Sequence, residues 1–128
     1  MSEQTLPAGT IAWMDLTVPD APAVRDFYRD VVGFDIAPVA MGSYEDYCLN
    51  LAGTEQAVAG VCHARGVNAN LPPVWLPYFV VTDLDESLRR CAAGGGSVLA
   101  GPRGMGKSRY AVVRDPAGAC CALFQPVE

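Results

Sequence analysis

Two stretches, Ile11-Ala-Trp-Met-Asp-Leu-Thr-Val-Pro-Asp20 and Pro77-Tyr-Phe-Val-Val-Thr-Asp83, decide how this chain is organised. Each is a short run of strand-forming residues that ends on an aspartate, the residue type whose carboxylate satisfies the free N–H groups of a helix start. After Asp20, Pro22 suits the first turn, Val24, Phe27, Val31 and Val32 fall on one apolar face, and Gly33 stops the helix. After Asp83, Glu86 takes the capping-box position, and Leu84, Leu88, Cys91 and Ala92 form the stripe before Gly94-Gly-Gly96. The caps lie 63 positions apart, 20 to 83, which is close to half the chain.

The segments after the two helices also repeat one another. Strand-like runs are expected around Asp35–Ala40, Tyr44–Leu51 and Ala57–His63, with a turn at Ala52-Gly53. Their counterparts are Ser97–Ala100, Arg109–Arg114 and Ala119–Gln125, with a turn at Asp115-Pro-Ala-Gly118. Each half therefore reads β-α-β-β-β, and the fold class is α+β. Unit one is expected over about residues 9–63, a Gly-, Asn- and Pro-rich linker over about 64–73, and unit two over about 74–126. Neither half buries both faces of its sheet alone, so one domain over residues 1–128 is expected.

Composition narrows the function classes. Of 128 residues 51% are hydrophobic, enough for a core. No apolar run approaches the ~20 residues of a membrane-spanning helix. The polar lead Met1–Thr10, with Glu3 and Pro7, lacks the basic and apolar regions of a secretory signal, so a cytoplasmic location is expected. Five cysteines (Cys48, Cys62, Cys91, Cys120, Cys121) form an odd set without a CxxC pair, which suits reduced thiols better than disulfides or a zinc site. The net charge is −5 and lysine is nearly absent, which disfavours nucleic acid, whose phosphates need a basic stripe.

Three motifs carry a family resemblance. Phe27-Tyr28-Arg-Asp-Val-Val-Gly33-Phe34, Trp75-Leu-Pro-Tyr-Phe-Val-Val-Thr-Asp83 and Arg109-Tyr-Ala-Val-Val-Arg-Asp115-Pro-Ala-Gly118 stand in the order and spacing of the glyoxalase/bleomycin-resistance/dioxygenase (vicinal-oxygen-chelate) superfamily. The chain resembles that family from about Gly9 to Pro126. The resemblance implies two tandem βαβββ units whose mixed sheets form a cup around a ligand, often completed by a homodimer partner. It also implies a divalent metal held by His or Glu from the strands that open and close each half. Aligning the motifs puts those positions near Trp13, Ala59, Leu76 and Ala122, none of which offers a lone pair to a cation. A slip of one residue brings no carboxylate or imidazole. Neither a metal nor any other cofactor is therefore expected, and metal-dependent lyase, epimerase or dioxygenase chemistry is disfavoured.

Strand alternation, anchored on those positions, sorts the side chains. Trp13, Asp15 and Thr17 are expected on the cup face, with Met14, Leu16 and Val18 toward the helix. The closing strand of the first half would add Ala59, Val61 and His63. The second half would add Leu76, Tyr78, Val80, Cys120, Ala122 and Phe124, and the middle strands Tyr44, Tyr47 and Tyr110. Such an apolar, aromatic lining with a few polar handles suits a small molecule. Trp13, Tyr78 and Phe124 are each also good core residues. Asp15 needs a partner in a mostly apolar strand, which points to a ligand-facing acceptor or general base. His63, the one histidine, suits an exposed or structural role.

Gly101-Pro-Arg-Gly-Met-Gly-Lys107-Ser108 satisfies the phosphate-loop pattern but precedes a strand, whereas that motif needs a helix whose N-terminal amides cradle phosphate. It is expected to be a hairpin loop, with Lys107 or Arg109 near a ligand. Two functions suit such a chain. One is metal-independent sequestration of a bulky, partly aromatic antibiotic or metabolite, as in drug-binding self-resistance. The alternative is a metal-independent isomerase, cyclase or hydrolase using Asp15 with Tyr78 or His63 as acid and base.

Overall fold

The computed structural model describes residues 6–126, so the first residues of the polar Met1–Thr10 lead and the last two of the chain lie outside it. The described residues form eight strands, β1 (Ile11–Val18), β2 (Asp35–Ala40), β3 (Glu45–Asn50), β4 (Ala57–His63), β5 (Trp75–Val80), β6 (Ser97–Met105), β7 (Ser108–Arg114) and β8 (Cys120–Gln125). Two α-helices come after the opening strands, α1 (Ala21–Val32) and α2 (Leu84–Ala93). The class is α+β, and the β-α-β-β-β order occurs twice. Backbone contacts group Trp13–Trp75 into one compact unit, and the residues up to Ala12 with those from Leu76 onward into another.

In the unit of residues 13–75 the strand order is β2-β3-β4-β1. β1 runs parallel to β4, and β3 is antiparallel to both β2 and β4. Helix α1 starts where Asp20 accepts a 3.2 Å hydrogen bond from the Ala23 N–H, a cap worth about 1 kcal/mol. It stops at Gly33, whose φ of 98° lies in the left-handed region that glycine enters without strain. Its inner side is Ala21, Val24 and Tyr28, which pack with Leu16, Val18, Tyr47, Leu49, Ala59 and Val61. The apolar face expected from sequence is thus displaced: Phe27, Val31 and Val32 are more than half exposed, and only Val24 of that set packs inward. A run of hydrophobic positions wider than one face leaves periodicity unable to choose which part meets the sheet.

In the other unit the order is β5-β8-β7-β6, with β5 parallel to β8 and β7 antiparallel to both β8 and β6. Asp83 caps α2 by accepting from Glu86 N–H at 3.1 Å, and Gln125 Oε1 accepts from Leu84 N–H at 2.7 Å, tying the helix start to β8. Leu84, Leu76 and Val112 are fully buried, each worth roughly 1.5–3 kcal/mol of apolar transfer. Strand β6 runs to Met105, so most of the Gly101–Ser108 stretch is strand and the expected long hairpin loop shrinks to a turn at Gly106-Lys107. Arg103 and Gly104 pair with Tyr110 and Arg109 across that hairpin.

Candidate functional site

The helix covers only one side of the 13–75 sheet, and register fixes what stands on the other. Asp15 pairs with Gly60 and Thr17 with Cys62, while Cys48 pairs with Gly60 and Ala37 with Cys48. Partners across a ladder point to the same side. The helix-free face is therefore built from Trp13, Asp15 and Thr17 of β1, Gly60 and Cys62 of β4, Asp46, Cys48 and Asn50 of β3, and Asp35, Ala37 and Val39 of β2.

Its centre is a fixed carboxylate. Trp13 Nε1–H donates to Asp15 Oδ1 at 2.8 Å, between residues two apart on one strand face. Gly60 lies directly beneath: a Cβ there would sit 2.3 Å from Asp15 Oδ1 and 3.4 Å from Trp13 Nε1. Only a residue without a side chain admits that carboxylate against the sheet. Burial, then the negative charges of Asp15 and Asp46, push the Cys62 thiol far up from its ordinary value, so it stays protonated. Burial and Asp15 push Cys48 the same way. Neither thiol is a ready nucleophile at neutral pH, because the thiolate is the reactive form.

At the edge of this face Asp46 Oδ1 accepts from the His63 backbone N–H at 2.9 Å and lies 3.3 Å from His63 Nδ1. The Tyr44 ring meets the imidazole edge-on at 5.5 Å, and the Arg65 guanidinium lies 3.8 Å over Tyr44. His63 thus has Asp46 as its partner.

The expected lining of β4 is corrected by one residue. Val61 is fully buried and Ala59 nearly so, both in the core on the α1 side, and Gly60 and Cys62 take the positions on the helix-free side. Tyr47 belongs to that core as well, with Arg25 stacked 4.6 Å from its ring centroid. The missed residues are Gly60, Cys62, Cys48, Asp46 and Asn50. A glycine inside a strand pattern is the signal that marked the close approach.

In the other unit, register joins Tyr78 with Ala122 and Val112, and Val80 with Phe124 and Tyr110, on one face. By alternation Leu76 and Cys120 share it. Tyr78 and Tyr110 lie with ring centroids 5.9 Å apart and planes 33° apart, and the Arg103 guanidinium lies 6.0 Å over Tyr110. Cys121 points the opposite way, where burial, Asp115 and Cys91 of α2 push its thiol up. Arg109 pairs with Asp85 of α2 at 3.0 Å, which ties it to the helix start.

The metal that such a fold commonly holds does not fit these residues. The indole nitrogen of Trp13 is a donor already committed to Asp15, and Ala59, Leu76 and Ala122 are buried hydrocarbon. Among the described residues, no group of three or more His, Cys, Asp or Glu side chains could hold a metal ion.

Comparison with known proteins agrees with this architecture. Residues 10–120 match the family model described as the Glyoxalase/Bleomycin resistance protein/Dioxygenase superfamily. The chain is 32% identical over 121 residues to the glyoxylase-like protein CFP32 of Mycobacterium tuberculosis, covering 91% of this chain and 46% of that protein. It is also 32% identical over 129 residues to the anthracycline biosynthesis protein DnrV of Streptomyces peucetius, covering 91% and 47%. The chain thus spans about half the length of the curated relatives it matches. Among solved structures, methylmalonyl-CoA epimerase of Mycobacterium tuberculosis superposes with a TM-score of 0.57 at 20% identity, over 100% of this chain and 94% of that one. A superfamily member from Vibrio splendidus 12B01 gives 0.57 at 18% identity, over 88% and 96%. These structural likenesses concern the fold.

Proposed function

This chain belongs to the glyoxalase/bleomycin resistance protein/dioxygenase superfamily, and on that premise we propose that it is a metal-independent protein that binds and sequesters a bulky, partly aromatic natural product. One observation carries the reading: Asp15 is held by Trp13 at 2.8 Å over Gly60, on the sheet face that the helix leaves uncovered. An indole and an oriented carboxylate side by side supply a stacking surface and an acceptor, the pairing that fixes a flat ring bearing a hydrogen-bond donor. Similarity to a protein named for anthracycline biosynthesis supports a fused-ring aromatic compound as the class of ligand.

Tryptophan fluorescence tests this. The protein would be titrated with anthracyclines, bleomycin and simple anthraquinones, and bound compound recovered and weighed. Trp75, whose Nε1–H donates to Tyr28 on α1 at 3.1 Å, serves as the internal control. Saturable quenching that survives Trp75→Phe and disappears in Trp13→Phe, with the compound recovered unchanged, supports sequestration. Absence of quenching across the panel refutes the reading.

The second reading, acid–base catalysis without a metal, draws on the 3.3 Å approach of Asp46 to His63 Nδ1, an arrangement that orients an imidazole. Recovery of a compound with altered mass would select it.

A further inference from the structure

Helix α1 carries more apolar surface than the sheet beneath it covers. Ala21, Val24 and Tyr28 pack inward, while Phe27, Val31 and Val32 stand 55%, 64% and 57% exposed. Phe27 and Val31 are one turn apart on the same side of the helix, and Val32 follows Tyr28 by one turn. The three therefore lie together along its second half. The Phe27 ring meets Tyr28 edge-on at 5.1 Å, and Tyr28 meets Trp75 in the same way at 5.2 Å, so an aromatic row anchors the exposed ridge to the core. Large apolar side chains left in water over consecutive turns are unfavourable for a lone domain, and a contiguous patch of them marks a docking face.

The charges of α1 narrow what can dock there. Arg25 pairs with Asp26 at 2.8 Å, and Arg29 pairs with Asp26 at 3.2 Å and Asp30 at 2.9 Å. Two arginines and two aspartates leave the helix without net charge, in a chain whose net charge is −5. A membrane surface or an acidic partner needs free lysine or arginine, and both arginines of the helix are engaged. A basic partner needs unpaired carboxylates, and both aspartates are engaged as well. An apolar ridge with a balanced rim instead complements itself. A second α1 brings the same ridge, with arginines and aspartates that can pair across the contact. The relatives point the same way in scale. CFP32 and DnrV match 91% of this chain within 46% and 47% of their own lengths, so in each a length sufficient for a second domain of this size accompanies the matched part.

We propose that the Phe27–Val31–Val32 ridge of α1 is a homodimer interface, seated on the same ridge of a second copy of the chain about a two-fold axis. The contact is isologous and closes at two chains. Three anchoring side chains per copy fall short of the about 800 Å² per partner of a tight complex, so dissociation in the micromolar range is expected. Pairing through α1 leaves the helix-free face of the sheet open to a ligand. It therefore differs from a dimer whose partner completes the cup, and it stands whether or not the small-molecule reading holds.

Sedimentation equilibrium at neutral pH, from roughly 1 to 100 µM, tests it. The wild-type chain should pass from monomer to dimer within that range. Phe27→Glu and Val31→Glu, each placing a charge in the ridge, should weaken association at least about thirtyfold, the scale of losing one central anchor. Both positions are more than half exposed and glutamate is a good helix former, so helix content by circular dichroism should match the wild type. Val39→Glu, on edge strand β2 at the helix-free side, should leave the dimer intact. A wild-type chain that stays monomeric throughout overturns the proposal. So does a dimer that resists both helix variants, a dimer broken by Val39→Glu, or assembly beyond two chains. Ligand titrations of Phe27→Glu should equal those of the wild type, so failure of the interface and failure of the binding site are read separately.

Discussion

The carboxylate of Asp15 and the α-carbon of Gly60 are register partners on neighbouring parallel strands, so close that a methyl group on Gly60 would stand 2.3 Å from Asp15 Oδ1. The strand carrying the acid and the strand lacking a side chain form one device. Gly60→Ala should displace Asp15 from the Trp13 indole and overpack the sheet, lowering stability by about 1–3 kcal/mol. Ligand-induced quenching of Trp13 should weaken with it, measurable by urea denaturation and by titration of the same sample.

Trp13→Phe keeps an aromatic ring but removes the N–H that holds Asp15. A loss of about 1 kcal/mol is expected, the usual worth of one such hydrogen bond. Fluorescence from Trp75 should be unaltered, and a change in its emission would show that the substitution had disturbed the α1 side as well.

Tyr28→Phe removes the acceptor of the Trp75 indole N–H and preserves the edge-on ring contact at 5.2 Å. About 1 kcal/mol should be lost. Ligand titrations should be unaffected, because Tyr28 packs on the helix side; a weakened titration would contradict the division of the sheet into a packed and an open face.

The Cys62 thiol is raised in the folded chain by burial first and by Asp15 and Asp46 after it. A group whose folded value lies above its unfolded one contributes stability that is complete below the unfolded value, here an ordinary 9.0, and is lost as pH rises toward the folded value. Stability should therefore be flat from neutral pH to about 9 and decline above it. Cys62→Ala should make that decline shallower, though not abolish it, since Cys48 and Cys121 are raised too. Denaturant midpoints taken across the alkaline range give the slopes.

Chelation should change neither the melting temperature nor ligand titrations. Trp13, Ala59, Leu76 and Ala122 offer no ligand atom at the aligned metal positions. Elemental analysis finding one equivalent of zinc, nickel, iron or manganese in the purified protein would contradict this.

Local chemistry made much of this architecture readable. An aspartate cap, a proline in the first turn and a stop glycine act within a few residues, so both helices could be placed from Asp20, Pro22, Gly33 and Asp83, while β6 runs five residues beyond the expected Ser97–Ala100. The donor-poor metal positions were equally legible, because side-chain identity alone excludes coordination.

The face assignments divided in an instructive way. For β1, β5 and β8, alternation put Asp15, Tyr78, Ala122 and Phe124 where the pairings put them. For β4 it failed by one residue, and a one-residue slip exchanges the two faces: Val61 went into the core and Cys62 to the open side. Ala57–His63 is uniformly small and apolar until its end, so nothing in its own pattern sets the phase. The phase is fixed across the sheet by Asp15 over Gly60 and by Leu49 beside Ala59. Sequence determined which elements exist and what they cannot coordinate, since those depend on short-range sterics and on donor atoms. Pairing between distant strands alone decided that Trp13, Asp15, Asp46, Asn50 and two silenced thiols share one surface.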